Sequence, residues 1–362
     1  MIARRGWLLL AGLAPWGLPA AARIAPRTLL FPRDHGAHPD ARIEWWYATG
    51  WLRDAQATDY APAFGFQLTF FRSRTGLAAD VASRFAARQL LFAHAALTDL
   101  AGRRMTHAER IARWTGDANA ARAAASLTDT VLRIGDWRLA RDGGSYHAAL
   151  DDQAAGFGYE LTLATTQALL LQGDGGFSRK GPDPAQASHY YSQPQLAVSG
   201  RLRHAGRTRD VRGLAWLDHE WSESLLPEGA VGWDWIGINL ADGSALTAFS
   251  LRRADGGAVW AGGSHRIRNG AVMAFGADDV RFEPLAHWSS TATRARYPVR
   301  LRVATPVGTF EVRALLDAQE LDGRGSTGTV YWEGLAELVG SEHQRLGVGY
   351  LEMTGYAQPL RL

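Results

Sequence analysis

The chain is built of short runs rich in aromatic and β-branched residues, punctuated by Gly, Asp and Asn. Such runs predict strands, because successive side chains on an extended backbone point to opposite faces. In the first half they fall at Glu44–Leu52, Phe64–Arg72, Leu90–Asp99, Tyr159–Thr165, Gln195–Leu202 and Gly213–Trp221. In the second half they fall at Trp233–Leu240, Ala245–Arg252, Val299–Thr305, Thr309–Leu316, Val330–Val339 and Val348–Gly355. Turn signals such as Ala241-Asp242-Gly243-Ser244 and Asp255-Gly256-Gly257 separate neighbouring runs, as hairpins require. Helical periodicity is weak, and only the alanine-rich Asp117–Leu127 is expected to hold a turn or two. Many strands at short spacing predict an all-β protein of barrels or sandwiches.

The N-terminus departs from this pattern. Met1–Arg5 is short and positive, Trp7–Leu18 is apolar, and Ala20-Ala21-Ala22 offers a small-x-small cleavage site. That order is a secretory signal. A membrane helix needs about 20 apolar residues, and Pro15 and Pro19 interrupt this run. The expectation is a signal peptide over 1–22, an N-terminal extension over 23–40, and a periplasmic or secreted protein; Sec and twin-arginine export both stay open. The bland alternative is a buried N-terminal helix. Pro227 and Gly229 break the strand pattern within Ser222–Gly232, which predicts one β domain over 41–224 and another over 225–362. Trp46-Tyr47-x-x-Gly50 faintly echoes Tyr331-Trp332-Glu333-Gly334, which alone does not establish a repeat.

Composition narrows the chemistry. The chain has 362 residues, 46% hydrophobic and 21% charged, which is globular and long enough for about two domains. It has no cysteine, which excludes disulfides, thiolate metal sites and a Cys nucleophile. The net charge is +3, Lys180 is the only lysine, and the arginines are interleaved with acids, so nucleic acid is not an expected partner. A Walker loop, a GxGxxG after a strand, a GxSxG elbow and an HExxH helix are all missing, which argues against nucleotide enzymes, α/β-hydrolases and zincins. No cofactor and no metal is expected.

Four constellations can carry chemistry. In Glu44-Trp45-Trp46-Tyr47, alternation sets Glu44 and Trp46 on one face and Trp45, Tyr47 and Trp51 on the other. A carboxyl beside an indole in a closed barrel is poorly solvated, so its pKa should rise, as suits a proton donor; the alternative is a structural Glu bonded to an indole or an arginine. In Trp216-Leu217-Asp218-His219-Glu220-Trp221, His219 and Trp221 point one way and Trp216, Asp218 and Glu220 the other. Imidazole beside indole suits an acid–base group next to a cation-stabilising π face; the alternative is a hydrogen-bonded seam between domains. His189-Tyr190-Tyr191-Ser192, ahead of Pro194, offers hydroxyls that orient a ligand oxygen or simply cover a β surface. Trp233-Asp234-Trp235, Tyr331-Trp332-Glu333 and Tyr350-Leu351-Glu352 are core, or the lining of a cavity for an apolar ligand. His94 is a lone histidine on a strand and reads as structural.

Glu44-Trp45-Trp46-Tyr47…Gly50, His189-Tyr190-Tyr191-Ser192, Trp216-x-Asp218-His219-Glu220-Trp221 and Gly349-Tyr350-Leu351-Glu352-x-Thr354-Gly355-Tyr356 together resemble the AttH/carotenoid 1,2-hydratase-like family, from about His35 to Tyr356. The resemblance implies two lipocalin-like antiparallel β-barrels in tandem, with a pocket at or between them. It implies chemistry such as water addition to the terminal double bond of acyclic carotenoids, while related members shape cyclisations of apolar polyenes and others sit beside export systems. The hydratase branch uses a His and a Trp in an Asp-His-x-Trp motif, matched by Asp218, His219 and Trp221. It also uses a Tyr and an Asp about one strand downstream, where Ser244–Phe249 has neither. The expected function is acid/base hydration or hydrolysis of an apolar or lipid-like substrate. The expected catalytic set is His219, Asp218, Trp221, Glu220 and Glu44, with Trp46, Tyr47, Tyr190, Tyr191 and Trp235 holding the ligand. The alternatives are a non-catalytic lipid or pigment carrier associated with an ABC-type export system, and a structural subunit of an export complex.

Overall fold

In a computed structural model, residues 24–76, 86–118, 120 and 122–360 are described; the signal-peptide reading of 1–22 lies outside them. Strands β1 (Ile43–Asp54), β2 (Phe64–Arg74), β3 (Gln89–Asp99) and β4 (Arg104–Trp114) form one meander. Strands β5 (Ala123–Ala125), β6 (Val131–Ile134), β7 (Trp137–Asp142), β8 (Ser145–Asp152) and β9 (Phe157–Ala164) form a second. After the short β10 (Leu170–Leu171) and β11 (Phe177–Arg179), the long hairpin of β12 (Ala187–His204) and β13 (Arg207–Ser222) joins the two meanders. The order is β4-β3-β2-β1-β13-β12-β9-β8-β7-β6-β5, with every pairing antiparallel. β4 packs against β5, so the sheet curls round into a nearly closed barrel.

The second sheet repeats this plan more simply. It contains β14 (Gly232–Leu240), β15 (Ala245–Arg252), β16 (Ala258–Arg266), β17 (Val272–Phe275), β18 (Arg281–Ser289), β19 (Arg296–Thr305), β20 (Gly308–Ala314), β21 (Glu320–Gly323), β22 (Thr329–Val339) and β23 (Arg345–Met353). Its order is β17-β16-β15-β14-β23-β22-β20-β19-β18, with β21 on β22. The protein is all-β, two lipocalin-like antiparallel barrels in tandem. The first strand of each barrel pairs with its last, so β14 is the counterpart of β1; the faint motif echo, which aligned β1 with β22, joins strands that are not equivalent.

Two local expectations are corrected. Asp117–Leu127 holds the strand Ala123–Ala125, and no helical turn falls among its described residues; the small side chains of that strand are buried where β5 meets β4. Strands β4, β7, β8 and β18 escape the sequence pattern because charges interrupt it, as in Arg104-Met105-Thr106-His107-Ala108-Glu109-Arg110, β16 because Gly262-Gly263 break it, and β6 and β17 because they hold only four residues.

Alternation on the shared strands sorts the core. Trp46, Ala48 and Leu52 of β1, Phe66, Leu68 and Phe70 of β2, and Ala215, Leu217 and Trp221 of β13 fill the first barrel. Trp46, Trp114, Trp137, Tyr146, Phe66 and Phe70 are fully buried there, so this interior is packed rather than hollow. The opposite faces of β1 and β13 present Tyr47, Trp51 and Trp216 to Trp235, Phe249, Leu335 and Tyr350 of the second barrel.

Polar ties align the two barrels. After Pro194 the register of β12 slips between Gln193 and Leu196, and Gln195 takes φ +58°. The bulge turns the Gln195 N–H out of the ladder and onto Asn239 Oδ1 of β14 at 2.8 Å. Asn239 Nδ2 donates to Ala215 O at 2.9 Å, and Gln195 Nε2 donates to Leu240 O and Ser244 O at 3.0 and 2.8 Å. Asn239→Ala strands a buried N–H and a buried C=O at once, so it is expected to cost about 2 kcal/mol or more. The check is the midpoint of urea unfolding; an unchanged midpoint would show that the seam does not carry stability.

Candidate functional site

Two polar clusters lie back to back on β1, β12 and β13. The first closes one end of the first barrel. The segment before β1 turns inward through a 3-10 turn, Arg33–His35, and buries Asp34, His35 and His38. Glu44 is completely buried opposite them. Its Oε2 accepts from Arg72 Nε at 2.7 Å, its cross-strand neighbour on β2. Its Oε1 meets His38 Nδ1 at 2.7 Å and His219 Nε2 at 2.9 Å. Burial alone would raise the pKa of Glu44, but hydrogen bonds from His219 and His38 and the charge of Arg72 outweigh it and hold the carboxyl far below its usual range. The rise expected for Glu44 is thereby reversed: it is a fixed anion.

The histidines divide their roles. His38 is held between Asp34 and Glu44, which overcome the effect of burial and raise its pKa. As an imidazolium it stacks on Trp221, with centroids 3.7 Å apart and planes 8° from parallel. The cation on the Trp221 face is therefore the protein's own. Burial lowers His219 to about 4, against the pull of Glu44, so its imidazole is neutral. It stacks on Trp46 at 4.4 Å, and its Nδ1 accepts from Tyr191 OH at 3.1 Å. Tyr191 in turn bonds His35 Nδ1 at 2.8 Å.

Among the described residues, His38, Glu44 and His219 are the group whose ligand atoms lie close enough for a metal ion. Their donor atoms already bond one another, and Arg72 stands 2.7 Å from the shared carboxylate. A second cation would meet that fixed charge, so these residues do not fit a metal.

The second cluster lines a cavity of about 200 Å³ between the barrels. Trp45, Phe71, Phe92, Trp233, Trp235 and Phe249 form much of its wall. At one end Asp218 is completely buried among donors: Ser192 Oγ at 2.5 Å, Trp216 Nε1 at 2.7 Å and Tyr190 OH at 2.9 Å. Burial outweighs these bonds and pushes Asp218 up to about 7. Trp235 Nε1 donates to Tyr190 OH at 3.2 Å. Beside them Lys180, the single lysine, lies 3.0 Å from Glu220 and over the rings of Phe249 and Tyr190 at 4.3 and 4.8 Å.

At the other end Glu333 of β22 faces Glu352 of β23 as its cross-strand partner. Burial raises both, Glu352 to about 7 and Glu333 well above its usual range, and each carboxyl opposes ionisation of its neighbourhood. Gln67 Nε2 donates to Glu333 Oε2 at 2.9 Å. Glu333 Oε1 and the Tyr47 hydroxyl are buried at the cavity with no well-formed hydrogen bond, each near enough to the other to shift its ionisation. Groups left so poorly paired are costly unless something docks on them.

The structure thus divides the residues singled out in the sequence. Asp218, Glu220, Tyr47, Tyr190 and Trp235 line the cavity. Trp46, Tyr191, His219 and Trp221 belong to the barrel interior. Glu44 touches the cavity edge, but its carboxylate oxygens are taken by His38, His219 and Arg72. His38 and Arg72 escape a reading of local motifs, while Glu333 and Glu352 fall in aromatic runs read as core or cavity lining and line the cavity. The spacing Asp34-His35-x-x-His38 ahead of Glu44, and Glu333 and Glu352 each two residues after a tyrosine, are the signals that mark them.

A test of the buried end follows from its titration. Below pH 6.5 an unfolded chain takes up protons at His35 and His219 that the folded chain refuses until about 3 and 4. Stability therefore falls as pH drops through that window. His38 runs the other way: its contribution is complete below 6.5 and is lost as pH rises through its folded value. The expected outcome is a urea midpoint that declines from pH 6.5 towards 4, and less steeply in His219→Gln, followed by tryptophan fluorescence.

Comparison with known proteins bears on fold and family. The family model described as AttH-like matches residues 22–356. A candidate AttH from Nitrosomonas europaea is 43% identical over 92% of this chain and 99% of its own, with TM-score 0.83. Kievitone hydratase from Nectria haematococca is 12% identical over 91% and 94%, with TM-score 0.68. CghA is 13% identical over 93% and 96%, with TM-score 0.52. These two share the fold. No curated protein matches the chain by sequence.

Proposed function

We propose that this chain, which belongs to the AttH-like family, is an exported acid–base enzyme that adds water across a carbon–carbon double bond of an apolar substrate. The observation that carries the reading is a set of carboxyls, Asp218, Glu333 and Glu352, kept neutral or near their titration point in an aromatic cavity. A neutral carboxylic acid in such a place is a proton donor at ordinary pH. The name of the structurally similar kievitone hydratase supports the same reaction class, and the leader read in 1–22 supports export.

The residues take definite roles. Glu333, at the cavity wall beside Tyr47, donates a proton to one carbon of the double bond. The π faces of Trp45, Trp233 and Trp235 stabilise the cation on the other carbon. Water held by Tyr190 attacks that carbon, and its surplus proton passes to Asp218, which Tyr190 touches at 2.9 Å. The Tyr47 hydroxyl positions the substrate. His219, Trp221 and Glu44, on the far side of β1 and β13, hold those strands in place. Positioning in the cavity supplies what acid–base help does not.

The test begins by incubating the protein with acyclic polyenes in heavy-oxygen water and following labelled alcohol by mass spectrometry. Glu333→Gln and Asp218→Asn are expected to lower turnover by about 10²- to 10⁴-fold, with ligand binding retained. Activity is expected to fall below about pH 7, where Asp218 is already protonated and cannot accept the surplus proton, while Glu333, raised well above its usual range, keeps the proton it donates. Retained binding with no turnover on any polyene would favour a carrier instead.

A further inference from the structure

We infer that a hydrogen-bonded relay, Glu109–Ser326–His94–Tyr331, carries protons between solvent and Glu333 while the cavity is filled; this rests on Glu333 as the proton donor. His94, on β3, is completely buried and reads in the sequence as a lone structural histidine. Its bonds say more. Nδ1 meets Tyr331 OH at 2.8 Å and Nε2 meets Ser326 Oγ at 2.7 Å. A structural histidine is commonly tied to groups that only accept or only donate. Both partners here are hydroxyls, which do both, so the direction of the chain can reverse.

The ends of the chain are placed for transfer. Ser326 Oγ donates to Glu109 Oε2 at 2.5 Å, and the Glu109 side chain is 27% exposed. Tyr331 and Glu333 lie two residues apart on one face of β22, and Gln67 Nε2 spans them at 3.4 and 2.9 Å. Both barrels contribute: His94 and Glu109 come from the first, Ser326 and Tyr331 from the second. The turn carrying Ser326 is fitted to the path. A Cβ on Gly323 would lie 2.7 Å from His94 Cε1, and one on Gly325 would lie 2.2 Å from Glu109 Oε1. Phe71 stands edge-on to His94 at 5.2 Å and Tyr331 stacks beside it at 5.8 Å. Other titratable groups facing this region are His107 and, beyond it, Asp322 at the His94 end, and Glu352 and Tyr47 at the Glu333 end. His94 itself stays neutral, because burial and His107 lower it to about 3.

The reaction needs such a path. Glu333 gives up its proton at one end of the cavity, and Asp218 gains one at the other. An apolar substrate between aromatic walls offers no return route. In one inward transfer, protonated Glu109 gives its proton to Ser326 as Ser326 gives its own to His94 Nε2. His94 releases the Nδ1 proton to Tyr331, and Tyr331 passes one to Glu333. One proton enters, one arrives, and each intermediate member keeps its number. The structure shows the state after delivery: Ser326 donates to Glu109, which leaves His94 protonated on Nε2 and accepting from Tyr331 on Nδ1.

The experiment is infrared H/D exchange on the full chain in octane-saturated buffer, which displaces cavity water. The carbonyl band of the buried acid is assigned by its loss in Glu333→Gln. Its exchange is expected to slow by about 10²-fold in His94→Phe and comparably in Ser326→Ala, the milder change, with backbone amide exchange unaltered. Equal band exchange in wild type and in Ser326→Ala overturns the relay. A wild-type chain with no protonated carboxyl band that Glu333→Gln removes overturns the donor assignment itself, and so separates the two failures.

Discussion

Everything in this protein depends on the two-residue period of β1 and β13. These adjacent strands are walls of two different spaces at once. One set of side chains fills the first barrel, and the interleaved set faces the second barrel. A shift of either strand by one residue would exchange the contents of the two spaces. The Glu44–Arg72 pair resists that slip, because it is matched across strands and closed by two histidines.

Burial is common to both spaces, yet it has opposite outcomes for their acids. Glu44 and Asp34 are surrounded by cations and stay charged. Asp218, Glu333 and Glu352 have hydroxyls, indoles or each other for company, and desolvation wins. A buried anion is tolerated only where paired. The chain therefore separates structural from chemical carboxyls by the distribution of its arginines and histidines. The imidazolium of His38 on Trp221 shows how far the barrel end is already saturated: the π face is occupied by the protein's own cation.

Much of this was legible in the residues. Strict alternation put Glu44 with Trp46 and Asp218 with Glu220, and the coordinates keep those partnerships. Alternation could not say which face looks into a barrel and which looks between barrels, because that depends on a second sheet. Asp-His-x-Trp drew attention to His219, yet the side of the strand bearing Asp218 meets the cavity. Glu333 and Glu352 are nineteen positions apart in the chain and become neighbours only through the register of β22 and β23. His38 and Asp34 sit in a segment without periodicity, so only their spacing ahead of Glu44 marks them. The bulge at Gln195 had one visible sign, Pro194, but its effect is felt in the other barrel.

Lys180 has a practical consequence. Apart from the α-amino group, it is the one primary amine in the chain, and it stands at the cavity wall against Glu220. Amine-directed reagents therefore address a single interior address rather than a scattered surface. Reductive methylation with an isotope label would install one spectroscopic reporter beside Asp218 and Tyr190. An occupant of the cavity would shield it, so the rate of labelling becomes a gauge of occupancy that requires no knowledge of what the occupant is.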